Sequence, residues 1–328
     1  MPNILFASNS ISHFPGSRIG SPEWAFDSRR VPYSIEFPLE TIAASPAFTE
    51  TSTDETWIHF RVGAQVWWVN NDNPLVEVVD INGDRICQLS FRNRPENGWT
   101  LRTAMDGKTF SDVRYVPFLG ETLRTIDIQI KLGTLQAEFR VYVNELLLIE
   151  RSFAYNQLNA RKPRFIWLGG AFRGLSSDPM SFYEPHYSEI IIADGDTRNA
   201  RLDLLRPVSA GAYGNWNGPL VSLSDDDPTT GMTTVSPNQS QTTILTPYTG
   251  ANNISNIVQV TTTVRGLNSP TKLRHLIRMS GVDYLTPDFN VPFSKEYQVT
   301  DWKQNPATSQ PWAATDLVNV EYGFRSIA

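Results

Sequence analysis

The chain has 328 residues, 40% of them apolar and 19% charged; that length admits about two domains, and a composition leaning on Ser, Thr, Asn, Gly and Pro favours strands and loops over helices. A net charge of −6 and a sequence pI near 5.3 exclude a general electrostatic affinity for nucleic acid. The single cysteine, Cys87, excludes an intrachain disulfide framework, and no stretch approaches the roughly 20 apolar residues of a membrane-spanning helix.

The start of the chain has no basic n-region and only the short apolar run Ile4-Leu5-Phe6-Ala7, so no export signal is expected. Residues 1–56 carry Pro15, Pro22, Pro32, Pro38 and Pro46. Proline at that density forbids a long helix or a central strand, leaving an edge strand at 34–37 and covering loops. In residues 57–62, Ile58, Phe60 and Val62 oppose Trp57, His59 and Arg61, the period-two pattern of a strand. Strand-like runs follow at 65–69, 75–81 and 85–91, the last two joined by Asn82-Gly83, for which a type I′ hairpin turn is expected. Asn97-Gly98 and Asp106-Gly107 bracket another short strand at 100–103.

The clearest pattern lies at the centre. Ile126, Ile128, Ile130 and Leu132 alternate with Asp127, Gln129 and Lys131; Ala137, Phe139, Val141 and Val143 then alternate with Glu138, Arg140 and Tyr142. These are two half-buried antiparallel strands. Asn144-Glu145 turns the chain into an apolar run at 146–149. A strand at 165–168, a long loop at 171–186 suited to touching a partner or covering the sheet, and a closing strand at 188–193 complete this part.

Asp194-Gly195-Asp196 reads as a boundary, because the composition shifts at once toward Ser, Thr, Asn and Pro. The domains expected are 1–193 and 194–328. In the second, Val258, Val260, Thr262 and Val264 share one parity, and runs at 273–279, 297–299 and 317–324 supply further strands. The fold class expected is all-β, two β-sandwich domains in tandem.

Candidate chemistry is sparse. His13, His59, His186 and His275 are too far apart for a helical metal pair, and each reads as a surface or interface histidine. Cys87 reads as a small buried hydrophobe. Glu77 and Asp80 stand at an odd offset, which sends their carboxyls to opposite faces of a strand and argues against a paired-acid glycosidase. Asp225, Asp226 and Asp227 could offer oxygens to Ca²⁺ but lack the spacing of a loop built for it, so a solvated turn is the expectation and no cofactor is assigned. Trp67, Trp68 and Trp99 sit beside turns, where an exposed indole can stack on a ligand. They are the candidate ligand-binding residues.

The run 126–130 followed by Phe139-Arg140-Val141-Tyr142-Val143-Asn144 resembles the amphipathic strand and V-Y-V-D/N-G signature of laminin-G-like, concanavalin A-like jelly rolls. Glu145 stands where that signature has Gly, so a different turn is expected there. The join Ile192-Ala193-Asp194-Gly195-Asp196 with Arg201-Leu202-Asp203-Leu204-Leu205-Arg206-Pro207, and the ending Trp312-Ala313-Ala314-Thr315-Asp316-Leu317-Val318-Asn319-Val320-Glu321-Tyr322-Gly323-Phe324, are similar to bacteriophage virion proteins. That resemblance implies a structural particle component of tail, baseplate or head fibre, without enzymatic activity, made in the host cytoplasm and incorporated into the virion. It would act by attachment and display, with other virion proteins and copies of itself as partners in a symmetric oligomer such as a trimer. The alternative is a phage adhesin that binds a host surface glycan.

Overall fold

The computed structural model describes residues 2–38, 41–66, 73–92, 98–104, 109–111, 122–154, 161–169, 183–227 and 229–328. Helix is confined there to short 3₁₀ turns. The chain is all-β and divides into two units, residues 2–202 and 203–328.

The first unit contains β1 (Ile4–Ser8), β2 (Arg18–Gly20), β3 (Ser34–Glu36), β4 (Ile42–Ala44), β5 (Glu55–Val66), β6 (Asn73–Val79), β7 (Arg85–Arg92), β8 (Gly98–Thr103) and β9 (Thr109–Ser111). It continues with β10 (Arg124–Leu132), β11 (Gln136–Val143), β12 (Leu146–Ala154), β13 (Phe165–Gly169) and β14 (Tyr183–Ala193). They form two antiparallel sheets of a jelly-roll sandwich. One runs β12-β11-β10-β5-β14-β3-β2 with β1 also on β14; the other runs β4-β13-β6-β7-β8-β9. The period-two face of β10 dictates its place: Ile128 lies between Val141 on β11 and Ile58 on β5, and all three are buried in the core between the sheets. Tyr187 of β14 crosses that core and donates its hydroxyl to the Leu75 carbonyl of β6 at 2.7 Å, so the two sheets share a hydrogen bond as well as apolar area.

Both hairpin expectations are corrected. At Asn82-Gly83 only Gly83 takes a positive φ, +81°, and its amide bonds the Asp80 carbonyl. The turn is therefore a type I turn with a left-handed glycine, not type I′. Asp80 decides it by accepting the amides of Asn82 and Asp84, each at 2.9 Å. At the central hairpin the difference is the reverse. Asn144 and Glu145 both have positive φ, 49° and 68°, between the paired ends Val143 and Leu146, which is the two-residue type I′ pattern despite the missing glycine. Twist compatibility of the flanking strands outweighs the Cβ penalty at Glu145. Glu145→Gly is expected to stabilise this unit by about 1 kcal/mol, read as a higher denaturation midpoint; a lower midpoint would mean the turn carries no such strain.

The boundary lies near residue 202 rather than 193, because residues 194–202 pack on the outer face of the larger sheet. Asp194 bonds Asn3, the Thr197 hydroxyl donates to Asp127 at 2.8 Å, and the Leu202 amide donates to Glu189 at 3.3 Å. The Arg198 guanidinium lies 4.9 Å from the Tyr142 ring and 5.8 Å from Trp57.

The second unit contains β15 (Pro207–Gly214), β16 (Ser240–Leu245), β17 (Ile257–Thr263), β18 (Lys272–Met279), β19 (Val282–Leu285), β20 (Phe289–Asn290), β21 (Glu296–Trp302) and β22 (Glu321–Ile327). One sheet runs β15-β16-β22-β18-β19 with β20 on β18, and β17 pairs with β21 as a second layer. The layers meet through polar side chains as well as apolar ones: Gln259 donates to the Gly323 carbonyl at 2.6 Å, and Thr261 and Thr300 hold His275. On β17 the face carrying Gln259 and Thr261, not the valine face, is thus the one aimed at the other sheet.

Candidate functional site

The outer face of the smaller sheet in the first unit carries one row of polar and aromatic side chains. Each sits between two buried residues on its own strand. Ile166 and Leu168 are core, so Trp167 faces out; Val76 and Val78 flank Glu77, Cys87 and Leu89 flank Gln88, and Leu101 precedes Arg102. Strand register then lines them up, with Trp167 opposite Glu77, Glu77 opposite Gln88 and Gln88 opposite Arg102. At about 4.8 Å per strand the row spans about 14 Å, the length of a short chain of small rings. Trp167, Glu77 and Gln88 are half-buried and Arg102 is exposed.

The row is held in place by its neighbours. Arg85 grips Glu77 from two directions, Nη2 to Oε1 at 2.9 Å and Nε to Oε2 at 3.2 Å, a fork that fixes the carboxylate plane. Gln88 donates through Nε2 to the buried hydroxyl of Ser90 at 2.9 Å, which leaves its carbonyl oxygen as an oriented acceptor. A flat indole, a fixed carboxylate, an oriented amide and an exposed guanidinium therefore share one surface. Such a surface can stack on the apolar face of a ring while hydrogen-bonding the hydroxyls at its edge. Among the described residues no second carboxylate joins Glu77 on it: Asp80 is spent on its hairpin, with Arg161 at 3.7 Å.

The residues expected from the sequence fare differently. Trp67 and Trp68 lie outside the described residues. Trp99 is fully buried, edge-on to Phe91 at 5.3 Å, and fills the core instead of offering a face to a ligand, because its strand position has the same parity as Leu101. Asp225, Asp226 and Asp227 do not converge. Asp225 accepts the amide of Asp227 and the hydroxyl of Thr230, Asp227 accepts from Thr229, and Asp226 pairs with Arg206 at 2.5 Å. Each carboxylate is occupied by its own turn or a cation, and the described residues hold no cluster of metal-ligating groups. Cys87 is buried, which pushes its thiol well above the ordinary range.

The histidines are not surface residues. All four are buried, each with a strand-borne partner: His13 with Ser8 at 2.7 Å, His59 with Asp127 at 2.8 Å, His186 with Ser34 at 3.1 Å and His275 with two threonines. Burial pushes His186 down against the opposing pull of Glu36. The His59–Asp127 pair, closed beneath residues 194–202, has no exposure to solvent and serves to anchor that segment through Thr197.

Trp167, Gln88 and Arg102 were not legible as a site from the sequence. A polar or aromatic residue isolated between buried residues in four separate strands is the local signal, but 90 positions separate Glu77 from Trp167, and register alone brings them together.

No family model matches the chain, and no curated protein matches it. Solved structures of partly similar shape include a sialidase, 13% identical with a TM-score of 0.36 over 60% of this chain and 19% of that one. Others are alginate lyase Aly36B, 10% identical with a TM-score of 0.37 over 52% and 82%, and a tetrameric galectin from the ball sponge Cinachyrella sp., 11% identical with a TM-score of 0.31 over 47% and 99%. The chain thus spans less than a fifth of the sialidase. Likenesses this partial carry no argument about activity, which rests on the side chains themselves.

Proposed function

We propose that residues 2–202 form a glycan-binding β-sandwich, with the saccharide lying across β13, β6, β7 and β8. The observation that supports this reading is the registered row Trp167–Glu77–Gln88–Arg102. Pyranose rings pair an apolar face with an equatorial rim of hydroxyls. The row offers the complement of both, an indole for the face and three planar polar groups for the rim. Glu77 and Gln88 are held by Arg85 and Ser90, so little side-chain entropy remains to be lost on binding.

Trp167→Ala in the full chain is expected to weaken glycan binding at least tenfold, about 1.4 kcal/mol, on a glycan array confirmed by calorimetry. A parent chain that binds no glycan, or a variant that binds like the parent, would sink the reading.

The wider proposal, that this face is carried on a phage particle, rests on the resemblance of residues 192–207 and 312–324 to virion proteins; the comparisons with known proteins add nothing to it. Mass spectrometry of purified particles should find the chain at structural copy number, and its absence there would remove the proposal without touching the binding face.

A further inference from the structure

We propose that the ligand of this face is an acidic glycan and that Arg102 holds a sugar carboxylate. The inference rests on the glycan reading and adds the charge of the ligand to it. The row with its supports contains three charged side chains, Glu77, Arg85 and Arg102. Glu77 and Arg85 neutralise each other through their two-point contact. Arg102 is left as the net charge of the row, exposed and facing no carboxylate among the described residues.

Most arginines among the described residues are paired with an acid. Arg18, Arg61, Arg140, Arg206, Arg278 and Arg325 each lie within ion-pair distance of an Asp or Glu, as expected in a protein whose net charge is −6. A guanidinium with no acid beside it among the described residues, at one end of an otherwise neutral row, raises the local positive potential there. Its planar fork matches the two oxygens of a carboxylate better than it matches a pair of neutral hydroxyls. Trp167 stands at the opposite end, three strands away. The arrangement therefore orients a ligand, stacking one ring on Trp167 and directing an acidic ring toward β8. Because Gln88 lies opposite Arg102, its amide oxygen is placed to take a hydroxyl of that same acidic ring.

The test is an array of uronate-containing and sialylated glycans printed beside their carboxyl-reduced neutral counterparts, probed with the full-length parent chain, Arg102→Gln and Trp167→Ala. The parent should bind carboxylated glycans at least tenfold more tightly than their reduced partners, with the preference shrinking as salt rises. Arg102→Gln should bring the carboxylated member of each pair down to the level of the neutral one, whereas Trp167→Ala should weaken both members together. Equal binding of carboxylated and reduced glycans, or tighter binding of the reduced ones, would overturn the acidic-glycan inference and leave the binding face standing. Binding to no glycan at all would overturn both.

Discussion

Trp99→Ala lowers the stability of the first unit by about 3–5 kcal/mol. Trp99 has no exposed surface, lies edge-on to Phe91, and shares its core with Leu101 and Leu89. Removing the indole strips the buried area and leaves a cavity that strands paired on both sides close only partly. The aromatic pair with Phe91 goes with it. Urea unfolding of the full chain, followed by hydrogen exchange in peptides from β7 and β8, should show an earlier midpoint there and an unshifted one in β18 and β22. A ligand-stacking tryptophan would behave differently, losing binding with under about 1 kcal/mol of stability. That outcome would move Trp99 out of the core.

The second unit is expected to lose about 2 kcal/mol between pH 7.5 and pH 5 through His275 alone. His275 is fully buried on β18, with Nδ1 2.6 Å from the Thr300 hydroxyl, Nε2 3.0 Å from the Thr261 hydroxyl and its ring edge-on to Phe289. Burial pushes its pKa down to about 3 from an ordinary 6.5. The folded form therefore refuses a proton that the unfolded chain accepts below pH 6.5. Stability is complete above that pH and falls by about 1.4 kcal/mol for each unit down toward pH 3. His13, His59 and His186 all belong to the first unit, and carboxylates titrate mostly below pH 5, so the interval isolates one imidazole. Hydrogen exchange of β17, β18 and β21 at the two pH values reads the effect. His275→Leu should be less stable at pH 7.5, because two threonine hydroxyls lose their partner, but flat down to pH 5. A parent chain equally stable at both values would show that the imidazole reaches solvent.

The central sheet was legible because its information is local. Ile126, Ile128 and Ile130 alternate with Asp127 and Gln129, and a two-residue period leaves a chain little choice once one face is buried. What misleads is the assumption that the other face meets water. Asp127 and Gln129 are buried too, because residues 194–202 and β5 cover them, and nothing in Asp194-Gly195-Asp196 reveals a segment that packs back onto the preceding sheet. The same limit governs His59 and His275. Their identities suggest a solvated imidazole, and only the partner strands, through Asp127 and through Thr261 and Thr300, make burial tolerable.

By itself the sequence determined that this protein is all-β, where most of its strands run and which residues of the central hairpin make the core, since these follow from side-chain alternation within a few neighbouring positions. The tertiary structure decided which side chains of the smaller sheet's outer face line up in one row. Trp167, Glu77, Gln88 and Arg102 come from four strands whose order in the sheet is not their order in the chain. Their alignment depends on inter-strand register, a long-range quantity set by the packing of the whole core and written in no local stretch of residues.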